Sequence, residues 1–220
     1  MAPSSHKRFA DRAAAGRALA ERLLEIELDA PVVVALPRGG VPVAYEVAQV
    51  LGAPLDIALV RKLGAPGRPE LGVGALGEDG TVIVDRDTIA TLGVRRTQIE
   101  TIVARESAEL ERRRKLYRGD RPAVNVRGRE TILVDDGIAT GVTTIAAAQM
   151  LWERGATRVI TAVPVCPATA IGHLRDQLGE LICLSTPPRF GGVGAWYDDF
   201  TQTSDEEVVD LLRRRWEPGA

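Results

Sequence analysis

Residues 131–144 constrain the fold more than any other stretch, because a short apolar run leads directly into two acids, a small-residue turn and a helix start. Their sequence is TILVDDGIATGVTT. The run Ile132, Leu133 and Val134 is typical of a strand that is buried on both faces of a parallel sheet. The Ala-rich segment after the turn favours a helix. The stretch therefore predicts a strand, a turn and a helix in direct succession.

The rest of the chain alternates between strand-like and helix-like segments. Apolar runs predict strands at residues 32–36, 55–60, 158–163 and 181–184. Helical spacing of apolar residues predicts helices at residues 8–28, 41–51, 86–92, 95–117, 168–178 and 205–216. This alternation predicts an α/β fold of three layers, in which helices cover both faces of a mostly parallel central sheet.

Some segments depart from this alternation. Residues 61–70 are rich in Gly and Pro and are predicted to be a loop, and residues 71–84 are predicted to form a hairpin. Residues 186–216 combine an irregular stretch with the C-terminal helix, capped by Ser204, and are expected to form a small hood segment. The chain has no internal repeat and no low-complexity tract, so residues 1–220 are expected to form a single domain.

Composition argues against several functional classes. Hydrophobic residues at 45% and charged residues at 26% are ordinary for a globular protein. The net charge of -2 gives no reason to expect nucleic acid or a membrane surface as a partner. No apolar run reaches the length of a membrane span, and we expect a cytoplasmic protein. The two cysteines lack the spacing of metal ligands, which favours reduced thiols.

The acids and the turn in residues 131–144 suit a sugar phosphate. Asp135 and Asp136 can accept hydrogen bonds from a diol and can help to hold a divalent cation. Backbone N–H groups at a helix start attract a phosphate, and threonine hydroxyls add donors. The alternative is purely structural, because acids and threonines at this place can also form a turn and cap the helix.

The same stretch resembles the signature of the type I phosphoribosyltransferases, in which a hydrophobic strand leads into two acids and then Thr-Gly-x-Thr. The resemblance implies that Asp135 and Asp136 contact the ribose hydroxyls of phosphoribosyl pyrophosphate. It also implies that a short loop cradles the 5′-phosphate. That loop consists of Ile138, Ala139, Thr140, Gly141, Val142, Thr143 and Thr144.

Two further segments are candidates for binding the pyrophosphate. Arg38, Gly39 and Gly40 follow the first predicted strand and resemble the pyrophosphate loop of the same family, which often contains a non-proline cis peptide; by position this is the bond between Pro37 and Arg38. An ordinary tight turn is the alternative. Arg61 and Lys62 close the second predicted strand at the same sheet edge, where they are expected to bind the pyrophosphate or to be solvated.

Aromatic residues are concentrated in the hood, although they make up only 4% of the chain. Phe190, Trp196 and Tyr197 are candidates for stacking on a flat base, which contributes about 1–3 kcal/mol. Alternatively, these rings cover an apolar flank of the sheet. The hood loosely resembles the base pocket of purine-salvage enzymes, and Asp198 is a candidate metal ligand beside Asp135 and Asp136.

The resemblance implies a magnesium-dependent transfer of phosphoribosyl to a nitrogen nucleophile, expected to be a nucleobase. Among nucleobases, a purine is weakly favoured. The expected partners are phosphoribosyl pyrophosphate and a small nitrogenous base, and a homo-oligomer is possible. Ala139 departs from the family, because many members carry at this position an Asp that is often viewed as the base for the incoming nucleophile. The alternative function is therefore a regulatory protein that binds phosphoribosyl pyrophosphate or a nucleotide without catalysis.

Overall fold

The computed structural model describes residues 8–216. In this range the α-helices are α1 (Arg12–Leu23), α2 (Gly40–Val50), α3 (Arg86–Leu92), α4 (Arg96–Arg118), α5 (Val142–Glu153), α6 (Ile171–Leu178) and α7 (Asp205–Trp216). The strands are β1 (Val32–Ala35), β2 (Leu55–Ile57), β3 (Val60–Ala65), β4 (Arg68–Gly77), β5 (Val82–Val84), β6 (Glu130–Val134), β7 (Arg158–Val165) and β8 (Glu180–Ser185).

The central sheet has five strands in the order β2-β1-β6-β7-β8, and each neighbouring pair is parallel. All strands of such a sheet end at the same edge. Strand β1 pairs with β6, and Ala35 lies opposite Val134 at their carboxyl ends. The loops that follow these two strands therefore lie side by side, where ligands bind in sheets of this kind.

Apolar side chains cover both faces of this sheet, as the predicted three-layer α/β class requires. Val33 and Ile132 belong to a core cluster that includes residues of α1, α2 and α7. Val34 and Leu133 point to the other face, into a second cluster with residues of α5 and α6. Because successive residues of a strand alternate between faces, a continuous Val-rich run serves both clusters. The fold class is confirmed.

The prediction for residues 55–70 was wrong in two respects. The expected strand at 55–60 is divided between β2, in the central sheet, and β3, which pairs with β4 and β5 in a separate antiparallel sheet. The expected loop at 61–70 is a hairpin, because Ala65 pairs with Arg68 across the turn at Pro66 and Gly67. The Gly and Pro signal belonged to that two-residue turn rather than to the whole segment.

The N-terminal helix is shorter than predicted. Asp11 caps α1 by accepting a hydrogen bond from the Ala14 amide (2.6 Å). The residues before the cap pair with the hood, here defined as residues 186–203: the Phe9 amide donates to the Trp196 carbonyl (2.9 Å), and the Asp198 amide donates to the Phe9 carbonyl (2.8 Å). The N-terminal segment and the hood therefore form one layer over the edge of the sheet.

Two expectations about helices can be compared directly with the structure. The Ser204 hydroxyl accepts a hydrogen bond from the Glu207 amide (3.1 Å), which confirms Ser204 as the cap of α7. Within residues 8–216, no helix combines the length and the apolar character that crossing a bilayer requires.

Candidate active site

The acid pair, Asp135 and Asp136, lies where β6 ends, beside the glycines that follow β1. The Asp136 amide donates to Asp135 Oδ1 (2.8 Å). A Cβ atom on Gly39 would overlap the Asp136 carboxylate, and one on Gly40 would lie 2.8 Å from the Val134 carbonyl oxygen. Only glycine permits this approach, so the two segments that the sequence singled out lie in direct contact.

The environment of the acid pair raises the pKa of both carboxyls. Burial raises the pKa of Asp135 well above its usual range, and the charge of Asp136 adds to the effect. Burial also raises the pKa of Asp136, although the charge and hydrogen bond of Arg12 oppose it. Two poorly solvated carboxylates side by side favour the binding of cations and of hydroxyl donors.

Arg12 is a residue of this site that the sequence reasoning missed. Its Nε donates to Asp136 Oδ2 (2.9 Å), and its Nη1 donates to the Thr201 carbonyl in the hood (2.7 Å). The Arg12 side chain is only 11% exposed. The two partners are separated by 124 positions in the chain, so no local pattern connected them. The sequence placed Arg12 inside a helix predicted over residues 8–28, so its position carried no distinguishing signal.

The loop after the acid pair leads into the open N-terminus of α5. Gly141 precedes this helix with a φ of +82° and provides no side-chain cap. The first N–H groups of a helix have no intrahelical partner, and together with the helix dipole they form an anion site. By contrast, α1 and α3 are capped by the carboxylates of Asp11 and Asp85. Because Gly141 supplies no side-chain cap, the first N–H groups of α5 can donate to a ligand.

Around this helix start, the loop residues differ in exposure. Ala139 and Thr140 are exposed, whereas Thr144 is buried. The Ile138 amide donates to the Val165 carbonyl at the end of β7 (2.9 Å), which fixes the loop to the neighbouring strand. The loop is therefore anchored at its start and open in its middle, at the edge where the acid pair lies.

The peptide bond between Pro37 and Arg38 is cis, as the resemblance implied. The Arg38 side chain is about one-third exposed, and its Nη1 lies 3.6 Å from Asp205 Oδ1 at the start of α7. The Tyr117 hydroxyl donates to the same carboxylate oxygen (2.5 Å). Through its neighbour Gly39, which contacts Asp136, Arg38 borders the crevice beyond the carboxyl ends of β1 and β6, and its guanidinium is directed towards the start of α7.

Arg61 and Lys62 do not act as one pair of cations, because neighbouring residues of a strand point to opposite faces. Arg61 Nε donates to Glu106 Oε2 on α4 (2.9 Å), so the expected role of Arg61 at the crevice is not supported. Lys62 lies on the other face. Its Cδ is 3.4 Å from the Cβ position of Gly72, which is itself 3.8 Å from Val142 at the start of α5.

The hood aromatics differ from the expected base-stacking arrangement at one position. The Tyr197 ring is only 1% exposed and lies between the rings of Phe9 and Phe200, with centroids at 5.7 and 5.0 Å. Its hydroxyl donates to the Asp136 carbonyl (2.6 Å). The apolar-cover alternative therefore describes Tyr197. The Trp196 indole donates to the Phe190 carbonyl (2.8 Å), which holds the remaining two candidates together.

Asp198, the further candidate metal ligand, lies on the outside of the hood. Its side chain is 64% exposed and lies 3.3 Å from Arg8. Within residues 8–216, no group of three or more His, Cys, Asp or Glu side chains is arranged to hold a metal. The acid pair itself offers the carboxylate oxygens that a hard divalent cation prefers, and a substrate can contribute further oxygens to such an ion.

Comparisons with known proteins point in one direction. The family model of the phosphoribosyl transferase domain matches residues 6–191. A Mycobacterium tuberculosis H37Rv protein, provisionally named a phosphoribosyl transferase, is 45% identical over 208 residues. The match covers 94% of this chain but 47% of that protein, so the chain spans about half the length of the curated relatives it matches.

Solved structures extend the comparison. The crystal structure of TT1426 from Thermus thermophilus is 44% identical, with a TM-score of 0.84, and the match covers 93% of this chain and 97% of that one. The AQ2163 protein from Aquifex aeolicus has a TM-score of 0.51 at 12% identity, over 91% of this chain and 84% of that one. The second likeness concerns the fold alone.

Proposed function

Since this chain belongs to the phosphoribosyl transferase family, we propose that it transfers the phosphoribosyl group of phosphoribosyl pyrophosphate to a nitrogen nucleophile, expected to be a nucleobase. The bond between C1 of the ribose and the pyrophosphate oxygen breaks, and a bond from C1 to nitrogen forms. The nitrogen loses its proton, and pyrophosphate leaves. The observation that carries the proposal is the acid pair held between the glycines after β1 and the open start of α5.

Binding of the phosphate and the sugar is assigned to β6 and α5. The 5′-phosphate accepts hydrogen bonds from backbone amides and hydroxyls of residues 139–144, at the positive end of α5, because the Ile138 amide already donates to the Val165 carbonyl. The ribose hydroxyls donate to Asp135 and Asp136. Binding the distant phosphate orients C1, so that part of the interaction energy lowers the barrier to the reaction.

The pyrophosphate is assigned to the opposite side of the crevice. Arg38 supplies charge-assisted hydrogen bonds, Gly39 and Gly40 let the backbone approach, and Lys62 adds a positive charge from β3. Magnesium fits the donors present, because the acid pair offers hard oxygen ligands; bound there, it would neutralise charge on the leaving group.

The negative charge of the acid pair also stabilises the transition state. When the bond to pyrophosphate breaks, positive charge develops at C1 and the ring oxygen. Asp135 and Asp136 stabilise this charge by a fixed field in a poorly solvated site. The methyl side chain of Ala139 cannot accept the proton of the nucleophile, so the proton passes to solvent or to the departing pyrophosphate.

Ala139 also motivates a second candidate function. Without an acid at this position, the chain can bind phosphoribosyl pyrophosphate or a nucleotide as a regulatory protein and catalyse no transfer. The two candidates share the binding site and differ only in turnover.

Incubation with phosphoribosyl pyrophosphate, magnesium and single nucleobases, with pyrophosphate release as the readout, separates these candidates. We expect release with at least one base, and a loss of about 100-fold or more in Asp135→Asn and Asp136→Asn, because both charges act on the transition state. The matched control is Asp120→Asn, at an exposed position after α4.

Binding without release for every purine and pyrimidine would favour the regulatory candidate. Absence of binding to phosphoribosyl pyrophosphate would contradict both candidates. Unchanged rates in both site variants would refute the roles given to the acid pair.

A further inference from the structure

Arg12 holds one carboxylate of the acid pair from outside the sheet. We propose that it is a positioning residue for Asp136, fixing Oδ2 so that the carboxylate presents Oδ1 to the sugar. The inference rests on the proposed function and adds to it a residue from the N-terminal helix. It follows from the contacts of the guanidinium, from its place in α1 and from the way the hood holds Asp136.

Hydrogen bonds and aromatic contacts fix the guanidinium of Arg12. Nε donates to Asp136 Oδ2 (2.9 Å), Nη1 donates to the Thr201 carbonyl (2.7 Å), and Cζ lies 3.9 Å from the centroid of the Phe200 ring. A planar guanidinium can satisfy two acceptors while one face rests on an aromatic ring. The carboxylate therefore meets a donor whose position is already set.

The position of Arg12 within α1 is not explained by helix stability. Arg12 is the first residue of the helix, directly after the cap Asp11. Positive charge is unfavourable at the N-terminus of a helix because it opposes the helix dipole. A cation retained at this position, and nearly buried, is accounted for by its partner Asp136 rather than by α1 itself.

The hood holds Asp136 at two points. Arg12 carries the connection from the Thr201 carbonyl to the side chain of Asp136. The Tyr197 hydroxyl donates to the backbone carbonyl of the same residue (2.6 Å). The neighbouring charge of Asp135 repels the Asp136 carboxylate, so a second, opposite anchor is needed to keep its orientation. Arg12 supplies that anchor.

Arg8 offers a matched control on the same segment. Its Nε lies 3.3 Å from Asp198, and it donates to the Tyr197 carbonyl, so it also connects the N-terminal segment to the hood. It is about half exposed and makes no contact with the acid pair. A role that is only structural would make Arg8 and Arg12 similar in effect, whereas a positioning role would separate them.

The experiment is calorimetric titration of phosphoribosyl pyrophosphate, with magnesium present, into the wild type, Arg12→Met and Arg8→Met. Loss of a charge-assisted hydrogen bond should weaken binding about 10-fold to 100-fold in Arg12→Met. Arg8→Met should stay within about twofold of the wild type, since exposed pairs contribute little. Equal affinity of Arg12→Met and the wild type would overturn the inference.

A double-mutant cycle with Asp136→Asn identifies the group through which Arg12 acts. If Arg12 acts on Asp136, Arg12→Met should cause little further loss of affinity in the Asp136→Asn background. A full additional loss there, matched by Arg8→Met, would assign Arg12 to fastening the hood and would overturn the inference.

Arg12→Lys keeps the test decisive if Arg12→Met does not fold. Lysine retains the charge but cannot span Asp136 and the Thr201 carbonyl in the same way, so an intermediate affinity is expected. Wild-type affinity in Arg12→Lys would contradict the positioning role. Failure of the wild type itself to bind would instead contradict the proposed function, so the two failures are distinguishable.

Discussion

Two regions of this protein each combine two carboxylates with one arginine in a poorly solvated place, but their charges are compensated to different degrees. The two groups are Asp56, Glu78 and Arg118, here called the joint cluster, and Asp135, Asp136 and Arg12, here called the site cluster. The joint cluster connects the two sheets, and the site cluster faces the crevice. The difference between them lies in how completely the charges are compensated.

In the joint cluster, one guanidinium lies between acids that come from different elements. Arg118 Nε donates to Asp56 Oδ1 (2.8 Å), and Nη2 donates to Glu78 Oε1 (3.0 Å) and to the Ile57 carbonyl (2.5 Å). Asp56 Oδ2 accepts from the Val124 amide (2.7 Å). Burial lowers the pKa of Arg118, but its two acid partners outweigh burial and leave the pKa raised.

In the site cluster, the acids are adjacent in the chain and only one of them meets the arginine. Asp136 is bound by Arg12, whereas the main influences on Asp135 are burial and the charge of Asp136. Like charges held together cost stability, and they are relieved when a ligand brings donors or a cation. The compensated charges of the joint cluster therefore favour the folded structure. The uncompensated charge of Asp135 in the site cluster favours the binding of a ligand that brings donors or a cation.

The largest effect is expected for Arg118→Met, which breaks the joint cluster. This variant leaves two buried carboxylates without their cation, and it should lower the free energy of unfolding by about 3–5 kcal/mol. Urea denaturation measures the loss. Arg114→Met, which removes an exposed pair with Glu111 on the same helix, is the control and should lose much less stability. Similar losses in both variants would show that the joint cluster contributes no more than a surface pair.

Asp135→Asn should change stability in the opposite direction, although under the proposed function it lowers turnover about 100-fold or more. Removing one of two neighbouring, poorly solvated charges should raise stability by on the order of 1 kcal/mol, or about 2–4 °C in Tm for a chain of this size. Because folding raises the pKa of Asp135, the wild type loses stability as pH rises from its unfolded value of about 4 through its folded value. The Tm difference should therefore be small near pH 4 and largest at neutral pH.

Thermal melts of both proteins across this pH range, with a chelator present, measure the difference. A variant that melts below the wild type at neutral pH would show that the acid pair is already compensated, like the joint cluster. The comparison between the two regions would then fail.

The sequence predicts the acid pair and its surroundings well, because the signal is contiguous. Asp135, Asp136 and the start of α5 follow directly from a buried strand, and the fold follows from the alternation of periodic segments. Residues 37–40 could be assigned to the same edge, because parallel strands end together. These predictions needed only local patterns and the topology of a parallel sheet.

The two arginines at the centres of the clusters could not be predicted in this way. Arg12 and Arg118 both lie in charged helical segments, where a solvated side chain is the default interpretation. Glu78 lies in a sequence typical of a turn, and its burial depends on the hairpin that was expected to be partly loop. The partners of these arginines lie far away in the sequence, so only the structure identifies Arg12 and Arg118 as the cations of the two clusters.

The smallest effect is expected for Glu109→Gln, which removes a charge compensated on the surface of α4. Hydrogen bonds from Arg112 and Arg113 lower the pKa of Glu109 to about 2. A lowered folded pKa stabilises the protein above the unfolded value of about 4 and loses this contribution as pH falls towards 2. Solvent screens the pair, so the loss at neutral pH should stay below about 1 kcal/mol.

Denaturation at low salt and at 1 M NaCl, where charges are screened beyond about 3 Å, separates this surface group from the joint cluster. Salt should remove most of the difference between the wild type and Glu109→Gln. It should leave the loss in Arg118→Met nearly unchanged, because Arg118 and Asp56 are buried and the Glu78 side chain is only 9% exposed. Equal salt sensitivity in the two variants would mean that solvent reaches the joint, and that burial does not distinguish structural charge from surface charge in this fold.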